Sequence, residues 1–154
     1  MNSIKLNELD PAFKFEIAAQ PRGNGLLACF GCKACSASCP IGPIQERYDP
    51  RKIIRMALLG MRKEVLGSEM IWLCSSCYGC HEVCPQNVSF TEVMFAIKNL
   101  AAAEACMPPG LTAQKALLRA HGRLYEITEF ENDKRAKLGL PPITEHPEDF
   151  ATLL

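Results

Sequence analysis

The sequence predicts a mainly α-helical domain made of two similar halves. Two observations carry that expectation. Cys29-x-x-Cys32-x-x-Cys35-x-x-x-Cys39-Pro40 recurs with every spacing kept as Cys74-x-x-Cys77-x-x-Cys80-x-x-x-Cys84-Pro85. Each copy is also followed by a segment whose apolar residues fall at helical spacing.

Along the chain, residues 1–24 read as an N-terminal arm, 25–107 as the cysteine-bearing domain and 108–154 as a helical and extended C-terminal arm. Within the first arm, Phe13, Phe15 and Ile17 alternate with Lys14 and Glu16, the pattern of a short strand. Residues 20–25 (Gln-Pro-Arg-Gly-Asn-Gly) carry loop chemistry. After the first cysteine run, Pro40, Gly42 and Pro43 stop any helix. Asp49-Pro50 then supplies an acidic N-cap with proline at the first helical position. Ile53, Ile54, Ala57, Leu58, Met61 and Val65 form the apolar stripe of a helix that Gly67 ends. Beyond the second run, Ser89-Phe90-Thr91-Glu92 has the form of a capping box. The helix it opens has Phe90, Val93, Met94, Ile97, Leu100 and Ala101 on one face, and Pro108-Pro109-Gly110 follows it. A further helix fits 112–121, with Gly122 as its C-cap. From Glu126 the charged, proline-bearing tail reads as extended with a single helical turn.

Composition narrows the function. The chain has 154 residues, 48% of them apolar, with 17 basic and 17 acidic side chains. Balanced charge and 7% aromatics argue against a nucleic-acid binder built on basic patches or stacking platforms. No run of about 18 apolar residues predicts a membrane span. Residues 1–10 lack a basic stretch followed by an apolar one, so no secretory signal is expected. Nine cysteines, an odd number, suit a disulfide framework poorly. A reducing, cytoplasmic setting is expected, with the cysteines as metal ligands.

A cubane iron–sulfur cluster requires four thiolates around a compact inorganic core. Two-residue gaps bend three Cys Sγ atoms towards one pocket, and the fourth, before proline, points away from it. In two-cluster proteins with this run the fourth cysteine serves the other cluster. Two [4Fe–4S] clusters are therefore expected, one on Cys29, Cys32, Cys35 and Cys84, the other on Cys74, Cys77, Cys80 and Cys39. Gly31, Ala34, Ser36 and Ala37, with Ser75, Ser76 and Gly79, are small enough for backbone N–H groups to approach the sulfurs. Structural zinc prefers separate Cys-x-x-Cys knuckles, which this pattern is not. Cys106 is expected to be a packing residue. Tyr78 and His81 read either as neighbours of a cluster or as ordinary surface residues. Trp72 reads as an apolar lid or interface anchor. Arg47, Arg51, Lys52, Arg55, Arg62 and Lys63 form a basic face, either solvated or docking an acidic partner. His121 is a favourable charge at a helix C-terminus. No catalytic motif is present, so a non-catalytic electron-transfer role is expected.

The chain resembles the C subunit of heterodisulfide reductase. The likeness lies in Cys29-Phe30-Gly31-Cys32-Lys33-Ala34-Cys35-Ser36-Ala37-Ser38-Cys39-Pro40, in 49–60, in Trp72-Leu73-Cys74-Ser75-Ser76-Cys77-Tyr78-Gly79-Cys80, in Cys84-Pro85 and in 134–142. The cysteine runs alone are shared across the α-helical ferredoxin class, including iron–sulfur subunits of succinate dehydrogenase. The resemblance implies an electron relay between an A-type partner, containing flavin and clusters, and a catalytic B-type partner with Cys-Cys-Gly signatures. This chain has no Cys-Cys pair, so disulfide chemistry would sit on another polypeptide. The competing readings are an iron–sulfur subunit of another respiratory or 2-hydroxy-acid or succinate-type dehydrogenase, and a free soluble ferredoxin.

Overall fold

The structure, a computed structural model, describes residues 4–152. Residues 1–3 of the expected N-terminal arm and 153–154 of the C-terminal one lie outside the described residues. The chain divides into two compact units, with the boundary between Cys106 and Met107. Among the described residues every regular element is helical.

The first unit holds α1 (Phe13–Ala19), α2 (Ala34–Ala37), α3 (Pro50–Leu58), α4 (Arg62–Leu66), α5 (Gly79–Glu82) and α6 (Phe90–Ala103), joined by turns of 3-10 helix. The core gathers around α6. Phe90, Val93, Met94, Ile97, Leu100 and Ala101 are buried, which is the face the spacing predicts. The helix packs against α1, against the 3-10 turn Gly23–Ala28 and against α4. Each fully buried Ile or Met contributes about 1.5–3 kcal/mol of hydrophobic stabilisation.

The alternation at 13–17 does not become a strand. Phe13 and Ile17 lie four apart on one face of α1 and are completely buried, while Phe15 stays exposed. Alternation over so few residues is compatible with either period, and among the described residues no neighbouring strand exists to pair with it. Arg62 fixes this segment from outside. It forms ion pairs with Glu16, Asp10 and Glu104, and its guanidinium lies 5.2 Å from the centre of the Phe13 ring.

α3 starts as expected. Pro50 is at the first position and the Asp49 carboxylate accepts from the Lys52 backbone N–H at 3.1 Å. The stripe 53–65 is broken by Gly60, which has φ +79°. A Cβ there would sit 2.2 Å from the Asp10 carbonyl oxygen, and Asp10 N–H donates to Gly60 O at 2.8 Å. The N-terminal segment thus sits against this glycine, and the expected single helix becomes α3 and α4.

Ser89 does not form the expected capping box. It adopts φ 51°, makes no side-chain cap and turns its hydroxyl to His81. Glu92 instead accepts from Arg22 and Tyr78.

The second unit contains α7 (Pro109–His121) and α8 (Glu129–Lys137). α7 begins three residues earlier than expected, because Pro109 is tolerated at the first position, and ends at Gly122 with φ +66°. The tail holds nine residues of α-helix and a 3-10 turn at Pro147–Phe150 where one turn was expected, and the capping box is here: Thr128 and Glu131 bond reciprocally. Neither helix of this unit has a buried residue.

Candidate functional site

The two cysteine runs fold alike. Gly31 and Lys33 have φ +81° and +76°, and Ser76 and Tyr78, at the same offsets from Cys74, have φ +55° and +61°. A left-handed residue two and four places after the first cysteine reverses the chain and turns successive N–H groups inward, a concavity suited to anions. Lys33 and Tyr78 then lead into the four-residue helices α2 and α5, which lie side by side. That contact brings the third cysteine of each run to the middle of the molecule's cysteine-rich region.

Two cavities flank this pair. The first is lined by Cys29, Cys32, Cys35 and Cys84, with Cys80 in its wall and Phe30, Ile54, Val88, Phe90 and Arg51 around it. The second is lined by Cys39, Cys74, Cys77 and Cys80, with Tyr48, Phe90 and Thr91. Cys84 therefore sits with the first run's triad and Cys39 with the second's. Among the described residues no three Cys, His, Asp or Glu side chains close on a point that a single ion would fill. Cysteines spread over the walls of a cavity suit a body several bonds across, as a cubane is. Four soft thiolate donors match the iron of such a cluster in number and kind.

The thiols are costly to ionise in the bare chain. Burial pushes Cys35 up to about 11, against a lesser opposing effect of its hydrogen bond with Ser36. Burial also raises Cys80, partly offset by Thr91, whose Oγ1 lies 3.5 Å from Cys80 Sγ. Replacing those protons by iron removes the cost, which couples metal binding to the folded state. Around the sulfurs, Val88 N–H donates to Cys84 Sγ at 3.3 Å. The Tyr48 ring is buried, with Cys74 beside its hydroxyl, and burial drives the phenol well above its ordinary value.

Ser36 joins the first run to α3. Its hydroxyl donates to the Asp49 carboxylate and accepts from Arg51 N–H at 3.1 Å. Burial opposes ionisation of Asp49, but the bonds from Ser36, Lys52 and Arg51 outweigh it and hold the carboxyl below its usual range.

Other residues singled out in the sequence take definite places. His81 pairs with Asn87 at 2.9 Å and with Ser89, and Tyr78 donates to Glu92 at 3.3 Å. These bonds give both residues structural partners. Trp72 is half-buried, with Lys98 Nζ 6.0 Å from its ring centre, and exposed Leu73 and Phe95 lie close by in the sequence and on α6. Cys106 lies outside both cavities and packs on the core, its Sγ 3.5 Å from Glu104 O. Arg62 leaves the basic face for its carboxylate network, whereas Arg51, Lys52 and Arg55 stay together beside the first cavity. His121 faces Glu145 at 3.0 Å. Tyr48 and Thr91 were not foreseen as wall residues. Nothing in their local sequence marks them, because their place depends on how α3 and α6 pack.

A family profile described as a 4Fe-4S dicluster domain matches residues 25–88. The chain is 33% identical over 146 residues to the C subunit of the H(2):CoB-CoM heterodisulfide,ferredoxin reductase of Methanothermobacter thermautotrophicus, covering 93% of this chain and 78% of that one. It is 39% identical over 127 residues to the C2 subunit of the H(2)/formate:CoB-CoM heterodisulfide,ferredoxin reductase of Methanococcus maripaludis, covering 77% and 68%. The C subunit of the Ferredoxin:CoB-CoM heterodisulfide reductase of Methanosarcina mazei matches at 33% over 132 residues, covering 86% and 81%. Likeness of this extent runs well beyond the cysteine runs and includes the helices that pack around them.

Proposed function

Because the chain belongs to the family of heterodisulfide reductase C subunits, we propose that it relays electrons between an A-type partner, containing flavin and clusters, and a Cys-Cys-Gly B-type catalytic partner, in the cytoplasm. Residues 25–107 are the cluster-binding domain in this reading. Cys29, Cys32, Cys35 and Cys84 hold one [4Fe–4S] cluster, and Cys39, Cys74, Cys77 and Cys80 hold the second. The observation that carries it is the exchange of the fourth cysteines between two cavities that share Cys80 and Phe90 as a common wall.

When bound, such clusters accept and release single electrons. The chain's own residues do the rest. Eight thiolates fill the coordination positions, which leaves no place for a substrate. Val88 N–H donates to a ligand sulfur, and the buried Ile54, Val88 and Phe90 give the first cavity an apolar inner wall. Each cavity also has exposed apolar residues of its own. Phe30, 61% exposed, borders the first, and Leu73, 39% exposed, adjoins Cys74 of the second. Two separate apolar contacts suit a protein that passes electrons in on one side and out on another.

The test is anaerobic reduction of the purified chain by a strong donor, followed by a disulfide assay with and without a Cys-Cys-Gly protein. The chain alone is expected to take up electrons and turn over no disulfide, and addition of that protein is expected to start turnover. Sustained disulfide reduction by the chain alone overturns the relay.

A further inference from the structure

The cavities differ most in charge. Two cations line the first cavity, the exposed Lys33 and, in the first turn of α3, Arg51. Arg51 Nη1 donates to Gly31 O at 3.3 Å, but its Nε is buried and has no hydrogen-bond partner. A buried cationic N–H without an acceptor is costly, so such a group marks a place where an acceptor belongs. The second cavity has no counterpart in its wall; the nearest is the partly buried Lys98, which lies over Trp72 and acts on Cys74 from outside the lining. Among the described residues that line it none is charged, and its polar groups are the hydroxyls of Tyr48, Ser75 and Thr91. Outside the first cavity, a groove lined by Phe30, Gly31, Asp49, Arg51, Lys52 and Arg55 sets three cations against one carboxylate. That carboxylate is engaged by Ser36 and by the Lys52 N–H.

We propose that Arg51 makes the site ringed by Cys29, Cys32, Cys35 and Cys84 the stronger electron acceptor of the two. The inference rests on the cluster-binding reading above. An anionic cluster held by those thiolates offers sulfur acceptors to the unpartnered Nε–H. One added electron makes the site more negative by one charge, and a guanidinium in its wall stabilises that state more than the oxidised one. The neutral hydroxyls of the second cavity, with Lys98 standing outside its wall, do this less. No bond is made or broken and no proton need move. Arg51 is a positioning residue for charge: Pro50 and the Ser36–Asp49 pair fix the backbone from which it reaches the cavity. At equilibrium a single electron resides on the first site, so α3 sets the direction of the internal step.

The experiment is an anaerobic redox titration of the full chain with dithionite, followed by electron paramagnetic resonance. Cys84→Ser and Cys39→Ser mark which signal belongs to which cavity. In the parent protein the first-cavity signal is expected to be reduced first. Arg51→Met is expected to shift its one-electron equilibrium at least tenfold towards the oxidised form, a fall of about 59 mV. The second-cavity signal should move less. Arg51→Lys should recover part of the shift, and Lys52→Met, which removes an exposed charge, should do much less than Arg51→Met. Unchanged potentials, equal shifts at both sites, or a Lys52→Met effect as large as that of Arg51→Met overturn the proposal. Should Arg51→Met lose iron, Arg51→Gln, which removes the charge and keeps a polar side chain, decides: an unaltered first-site potential overturns the proposal. Iron well below about eight per chain in the parent, or marking by the wrong cysteine variant, would instead overturn the ligand reading.

Discussion

The runs 29–39 and 74–84 share every spacing, and the structure carries the identity into the backbone. Left-handed residues stand two and four places after the first cysteine in both, and a four-residue helix follows in both. Helices so short have no stability of their own in water. Each persists because its run wraps a cavity and rests against the other's helix. The surroundings are unlike. The first run reaches Asp49 and Arg51 at the start of α3 through its own Ser36, and the second meets the buried Tyr48 and Thr91. Local spacing specifies a cysteine turn, and the elements packed on that turn decide its electrostatics.

The largest expected effect tests whether the halves are interlocked. Cys39→Ser should remove the cluster of Cys74, Cys77 and Cys80, and Cys84→Ser that of Cys29, Cys32 and Cys35. Iron should drop from about eight to about four per chain in each case. Losing the signal of the mutated run's own triad instead would mean that each half closes on itself. Because the site and the folded state depend on each other, both variants should also unfold more readily than the parent.

A smaller effect separates the ties around each turn. Ser36→Ala removes one of the Asp49 carboxylate's hydrogen bonds, leaving that from Lys52 N–H, and takes the acceptor from Arg51 N–H, and should cost about 1–2 kcal/mol. In a domain of this size that lowers the unfolding midpoint by about 4 °C or more. Thr91→Val removes only a long contact to Cys80 Sγ and should cost under about 1 kcal/mol. Iron content should stay at the parental value in both. Equal losses would show that α3 and α6 support their turns to the same degree, against the asymmetry described above.

Much of the site is legible in the order of residues, for local reasons. Thiolate spacing determines a turn within a dozen residues, and Asp49-Pro50 determines where α3 starts. The apolar face of α6 is legible because its fourteen residues are long enough for the helical period to show. What is illegible depends on partners distant in sequence. Glu92 is drawn from the expected capping box by Arg22, and Ser89 by His81. Gly60 breaks the α3 stripe because Asp10 packs there. Arg51 looks like one more member of a basic stripe until folding brings it to a cysteine cavity.

The smallest expected effect probes the likeness of the turns. Residues 31 and 76 are equivalent, yet one is glycine and the other serine, both left-handed. A side chain in this conformation costs about 1–2 kcal/mol, because its Cβ crowds the neighbouring carbonyl oxygen, and glycine escapes that cost. A Cβ at Gly31 would meet only Arg55 Cδ, at 3.9 Å, so space is not the obstacle there and the backbone angle is. Gly31→Ala should therefore destabilise the holo chain by about 1 kcal/mol, and Ser76→Gly should stabilise it by a similar or slightly smaller amount. The smaller gain is expected because glycine also loosens the unfolded chain. Anaerobic denaturant titration at constant iron content measures both. Opposite signs would mean that the two turns share one backbone constraint which the first run meets with glycine and the second tolerates as strain. A loss on Ser76→Gly would show that the serine hydroxyl contributes to the second site, so that the halves differ in the turn itself as well as in what surrounds it.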